Sequence, residues 1–114
     1  MLESGLVTIL TADGIDAELD EDHWKTHIVK GHPELTPYQS LVIETLKHPE
    51  GVYRSTRDSS TRVYARSCLG ILIGETLVEK INLLVFVREK NAFVVTAFFA
   101  AVMWRGLGER IWPL

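Results

Sequence analysis

The two segments that most constrain this chain are Ile81 to Arg88 and Phe93 to Phe99. Both are strand-length runs dominated by Val, Leu and Phe, and Glu89-Lys90-Asn91 is the turn between them. Runs so short and so rich in β-branched and aromatic residues read as buried strands rather than helices. Two such strands joined by a short turn lie side by side and antiparallel. The chain is therefore committed to a sheet, and its other segments have to cover or extend that sheet.

Leu6 to Thr11 alternates and is β-branched, which reads as a short strand closed by Asp13-Gly14. Val52 to Arg57 and Arg62 to Ser67 read as another strand pair, turned by Asp58-Ser59-Ser60-Thr61. Two helices precede that pair. Asp20 or Asp22 can cap the first, which runs from His23 to Lys30 and ends at Gly31 and Pro33. The second opens with Thr36 as N-cap, Pro37 in the first helical position and Gln39 completing a capping box. Tyr38, Leu41, Val42, Thr45 and Leu46 then share one helical face, and His48-Pro49 stops the helix. Residues 68–80 leave two alternatives open, an extended strand or a loop. The tail from Met103 to Trp112 reads as a short helix or a strand broken by Gly106 and Gly108. The expected class is α+β: two N-terminal helices packed on an antiparallel sheet of four or more strands, in one domain spanning residues 1–114.

Hydrophobic residues make up 46% of the 114 residues, enough for a real core. The single cysteine, Cys68, excludes an internal disulfide framework and suits a reducing compartment. Met1-Leu2-Glu3-Ser4 offers no basic n-region of a signal peptide. The most apolar run, from Ala92 to Trp104, is well short of the roughly 20 residues that cross a bilayer. The expectation is a soluble, cytoplasmic protein without a membrane partner. Net charge is −3, but unevenly placed: the acidic segment 1–22 holds seven Asp and Glu with no Lys or Arg, and all 12 basic residues follow it. The body is thus mildly basic, and a local field outweighs the total in choosing a partner.

Gly31-His32-Pro33-Glu34-Leu35 is echoed by Lys47-His48-Pro49-Glu50-Gly51. Proline ends a helix at the preceding residue, and a histidine there is favoured by the helix dipole. That accounts fully for His48. His32 lies five residues after His27, which sits at the edge of the buried helix face, so the two rings could converge on one site. Arg62, Tyr64 and Arg66 alternate on one strand face, two guanidinium forks and an aromatic ring suited to phosphates and a base. The bland alternative is a solvated sheet face. Arg54 lies on the preceding strand. Thr96 interrupts an apolar run, which β-propensity alone would explain. His23-x-x-x-His27 is a usable zinc pair by spacing, the weakest of the readings because a third ligand has to come from elsewhere.

In order, the chain shows Trp24-x-x-His27-Ile28, His32-Pro33-Glu34-Leu35, Val52-Tyr53, Tyr64-x-Arg66, Leu84-Val85-x-Val87, Val95-Thr96-Ala97-Phe98 and Gly106-x-Gly108-Glu109-x-Ile111-Trp112. This set resembles the phage-associated members of the barnase–EndoU–colicin–RelE superfamily of ribonucleases. The resemblance implies helices followed by a four-stranded antiparallel sheet, and RNA cleavage by ribose 2′-hydroxyl attack without metal or other cofactor. It implies His27 and His32 as base and acid, or one of them as a phosphate ligand, Arg66 as clamp on the phosphorane and Thr96 as a phosphate or general-acid hydrogen-bond donor. Tyr64 matches its aromatic-basic strand, and Arg62 and Arg54 join as substrate contacts from their place on the strands. The segment Cys68 to Lys80 matches no element of that family, and a homodimer contact is one expectation for it. The acidic leading segment could mask the basic face, or dock an antitoxin or a larger phage protein. The competing expectation is a non-catalytic module that binds RNA or a protein.

Overall fold

The computed structural model describes residues 5–102 and 104–114, so Met103 and the first four residues lie outside the described residues. Seven strands form one curled sheet: β1 (Leu6–Leu10), β2 (Asp16–Asp20), β3 (Gly51–Ser55), β4 (Thr61–Ile73), β5 (Thr76–Arg88), β6 (Phe93–Ala100) and β7 (Leu107–Trp112). Their spatial order is β1-β2-β6-β5-β4-β3-β7. β2 runs parallel to β6, with Glu18 beside Phe93, and the other neighbours are antiparallel.

This mixed half-barrel replaces the expected pair of helices on a four-stranded antiparallel sheet. Three segments make the difference. The acidic stretch Asp16–Asp20 is a strand, because Ala17 and Leu19 alternate inward between acids that stay wetter. Residues 68–80 complete two 13-residue strands, β4 and β5. The tail supplies β7, which pairs with β3.

The connection from β2 to β3 crosses the inner face of the sheet. It begins with α1, residues 21–31, whose middle turn, Trp24–Ile28, is a π-helix. Asp20 caps α1 by accepting the His23 N–H at 2.9 Å. A 3₁₀ turn, Pro33–Tyr38, leads into α2 (Gln39–Lys47). The expected capping box does not form. Pro37 has no N–H for the Pro33 carbonyl, and the Thr36 hydroxyl donates to that oxygen instead, at 2.7 Å. Gln39 reaches Glu21 of α1 at 3.0 Å rather than its own helix end.

Ile28, Leu35, Val42 and Leu46 pack fully buried against Leu83, Val85, Val87, Val94 and Ala97 on the inner face. Each large side chain so buried stabilises by roughly 1.5–3 kcal/mol relative to exposure. The outer face holds a smaller cluster of Val63, Ala65, Leu84 and Phe86. The link after β6 crosses this outer face on its way to β7, spanning three intervening strands. Trp104 from that link packs edge-on against Phe86 and Phe98, with ring centroids 5.2 and 6.1 Å apart. Among the described residues, no helix is long and apolar enough to cross a membrane.

Candidate functional site

Strand alternation decides which face each polar residue joins. On β4, Arg62, Tyr64 and Arg66 pair with Val87, Val85 and Leu83, which belong to the inner face. Thr96 pairs with Phe86 of the outer face. The cationic strand and the threonine therefore lie on opposite sides of one sheet.

The inner-face arginines are already engaged. Arg62 donates from Nη1 to Asp13 and from Nε to Glu89, both at 2.6 Å. Tyr64 donates its hydroxyl to Asp13 at 2.7 Å, and Thr11 does so at 2.6 Å. Arg54 donates to the Ser59 carbonyl at 2.7 Å and to Glu89 at 3.0 Å. Arg66 donates to the His48 carbonyl at 3.1 Å. Burial opposes ionisation of Asp13, yet bonds from Thr11, Tyr64 and Arg62 outweigh it and hold its carboxyl below the usual value. The bond from Arg62 lowers Glu89 in the same way, burial opposing and Arg54 adding. Burial first, then Asp13, pushes the Tyr64 phenol well above its usual range. One acid of the leading segment thus neutralises Arg62 on the inner face.

The histidines separate as well. His27 stacks on His23 with centroids 4.7 Å apart and planes 17° from parallel. His23 donates from Nε2 to the Val95 carbonyl at 2.8 Å. Parallel stacking and that bond leave the two rings facing each other rather than converging on a metal. Among the described residues, no group of three or more His, Cys, Asp or Glu could hold a metal ion. His32 lies beside Phe98 at 5.5 Å and pairs with Glu34 at 3.6 Å. Phe98 and Thr96 line one outer-face groove, and His32 touches Phe98 without lining that groove. His27, Arg54, Arg62, Tyr64 and Arg66 do not join them there. His48 faces Glu44 at 3.7 Å, at the end of α2.

What the outer face does assemble is a groove of about 270 Å³. Phe86, Phe98 and Trp104 form its apolar lining, and Ser55, Thr61 and Thr96 contribute hydroxyls. Arg57 and Arg88 stand at its border, and among the described residues Asp58 is the one acid in the lining. Asp58 is occupied in its own turn, accepting from Ser60 N–H and hydroxyl at 3.0 and 2.6 Å and from Thr61 at 3.1 Å. Arg57 lies 5.1 Å over the Trp104 ring, a cation–π contact. Arg105 lines the adjoining hollow with Arg57 and Trp104. Arg110, on β7, lies 5.7 Å over Tyr53 of the same face.

The aromatic tail with Trp104 is a sequence-level ground for an interaction module, but Arg57 and Arg88 were missed because no local pattern joins them to it. Arg57 follows β3, Arg88 ends β5, and Trp104 arrives on the crossing link. The readable signal was the period-2 face of β5, where Leu84, Phe86 and Arg88 alternate with Leu83, Val85 and Val87.

The fold and site define a curled mixed sheet, helix-covered within, with a basic, aromatic groove on its outer face. No protein-family model, curated protein or solved structure matches this chain.

Proposed function

We propose that this chain is a non-catalytic module that binds single-stranded RNA on the outer face of its sheet. The observation that carries the reading is the joining of Arg57, Arg88, Arg105 and Arg110 to aromatic rings on one face, with Asp58 the one acid of the groove among the described residues. Guanidinium forks suit phosphate oxygens, and an indole offers a stacking surface to any base. The Thr96 hydroxyl supplies a neutral hydrogen bond to base or sugar edges, whereas Ser55 and Thr61 are buried and bonded within the Asp58 turn. A groove of about 270 Å³ has room for one nucleotide rather than a duplex. The cleavage expected from the ribonuclease resemblance needs acid, base and cationic clamp around one phosphate. Arg62 and Arg66 lie on the other face, and His27 is paired with His23.

The test is a fluorescence-anisotropy titration with a labelled single-stranded RNA of about ten nucleotides, followed by gel analysis of the same RNA. Micromolar or tighter binding, weakened by Trp104→Ala and Arg57→Ala with the RNA intact, is the expected result. Absence of binding at low salt overturns the reading. Cleavage that disappears with His32→Ala overturns it in favour of the ribonuclease.

A further inference from the structure

The far ends of β4 and β5 form an arm beyond the rest of the sheet. β6 accompanies β5 only as far as Asn82, and β3 accompanies β4 only as far as Ala65. Past these points the two strands pair solely with each other, down to Ile73 and Thr76. Gly70, at φ +65, breaks the two-residue alternation. Cys68 and Ile81 face the core before it, and Ile71 and Val78 face the core after it. The arm is thus held down by Ile71, Ile73 and Val78, and the Tyr38 hydroxyl accepts the Leu72 N–H at 2.8 Å.

Its other side presents three leucines to solvent. Leu69, Leu72 and Leu77 are 75%, 51% and 63% exposed, and Leu72 and Leu77 are direct cross-strand partners. A shallow groove of about 570 Å³, lined by Pro33, Glu34, Pro37, Leu72, Ile73 and Gly74, runs beside them. Leucines exposed in a row on a rigid arm mark a contact surface.

We infer that this surface joins two copies of the chain, arm against arm and antiparallel about a two-fold axis. The charges argue for a second copy. Glu75 sits at the tip of the arm and Lys80 at its base, opposite Leu69. Antiparallel packing sets the tip of one arm beside the base of the other, so each Glu75 meets the partner copy's lysine and both pairs form at once. A two-fold contact also sets the leucine row against its own equivalent and places a leucine at the Pro33–Leu72 groove. The arm is already ordered by the core and by Tyr38, so pairing costs little conformational entropy.

Sedimentation equilibrium of the full chain is the test. Dimer is expected at roughly 100 μM, where a micromolar complex is almost complete. Leu72→Glu with Leu77→Glu gives monomer with an unchanged far-ultraviolet dichroism spectrum. Lys80→Glu alone weakens the dimer by about tenfold, through two symmetric repulsions. Adding Glu75→Lys to it restores the dimer, a readout that survives even if the leucine variant fails to fold. A wild type monomeric at that concentration, a dimer indifferent to the leucine changes, or a charge reversal without rescue overturns the inference.

Discussion

Arg62 and Asp13, 49 positions apart, meet at 2.6 Å and tie the loop after β1 across the inner face of the sheet. The Asp13 side chain is only 4% exposed and accepts from Thr11, Tyr64 and Arg62 together. Its removal leaves a half-buried guanidinium and a buried phenol each short of a partner. Asp13→Ala should cost about 2–4 kcal/mol of stability, measured by urea unfolding. Asp13→Asn, which keeps the acceptor oxygen but not the charge, should cost less.

The same carboxylate sets an acid limit. Folded Asp13 and Glu89 hold their protons less tightly than their ordinary values of 3.8 and 4.5. Their stabilisation is therefore complete above those values and disappears as pH falls through the lower folded values. Unfolding free energy should drop as pH falls below about 4.5, and Asp13→Asn should flatten that drop. An unchanged acid slope in the variant would place the sensitive group elsewhere.

RNA affinity should fall steeply with salt. Four arginines on the outer face, at about 0.7 counterions per phosphate for single strands, give a slope of log affinity on log salt near −3. Arg88→Gln should reduce the steepness by nearly one such unit without altering base preference. Trp104→Ala should lose about 1–3 kcal/mol of binding at every salt concentration, because stacking is not an ionic term.

Gly106 and Gly108 hold the link and β7 where they are. A Cβ at Gly106 would overlap the Trp104 indole, and one at Gly108 would stand 2.8 Å from the Arg54 carbonyl oxygen. Gly108→Ala meets backbone and should destabilise by about 1–3 kcal/mol. Gly106→Ala meets a side chain that can swing away. Its main effect should be a red-shifted, solvent-exposed tryptophan emission and weaker RNA binding.

Cys68 should react slowly with thiol reagents while the chain is folded. Burial pushes its thiol pKa up, and the residue is 5% exposed. Modification by a disulfide reagent should follow the unfolding rate or its equilibrium rather than the rate of a free thiol.

Much of the chain could be read from local pattern alone. The β5 and β6 hairpin, the β3 and β4 turn around Asp58, and the stop of α2 at His48-Pro49 each carry their cause within a few residues. A turn residue bonds its neighbours, and a proline excludes its predecessor from the helix. The Asp20 cap is equally local. β2 was also within reach, since Ile15, Ala17 and Leu19 alternate with acids. Its abundance of negative charge hid the period.

The tertiary structure alone decided how these pieces share faces. Parallel pairing of β2 with β6 joins residues 75 positions apart, and no short-range rule forecasts it. The same holds for the crossing link that sets Trp104 on Phe86 and Phe98. The histidines and arginines named from motifs were each well founded locally. Whether they meet depends on the face to which strand parity assigns them, and a sheet separates odd from even by its full thickness. Sequence thus determined the β3–β4 and β5–β6 hairpins, their turns and the stop of α2. Packing determined that Arg62 would spend its charge on Asp13, while Arg57 and Arg88 border an open groove.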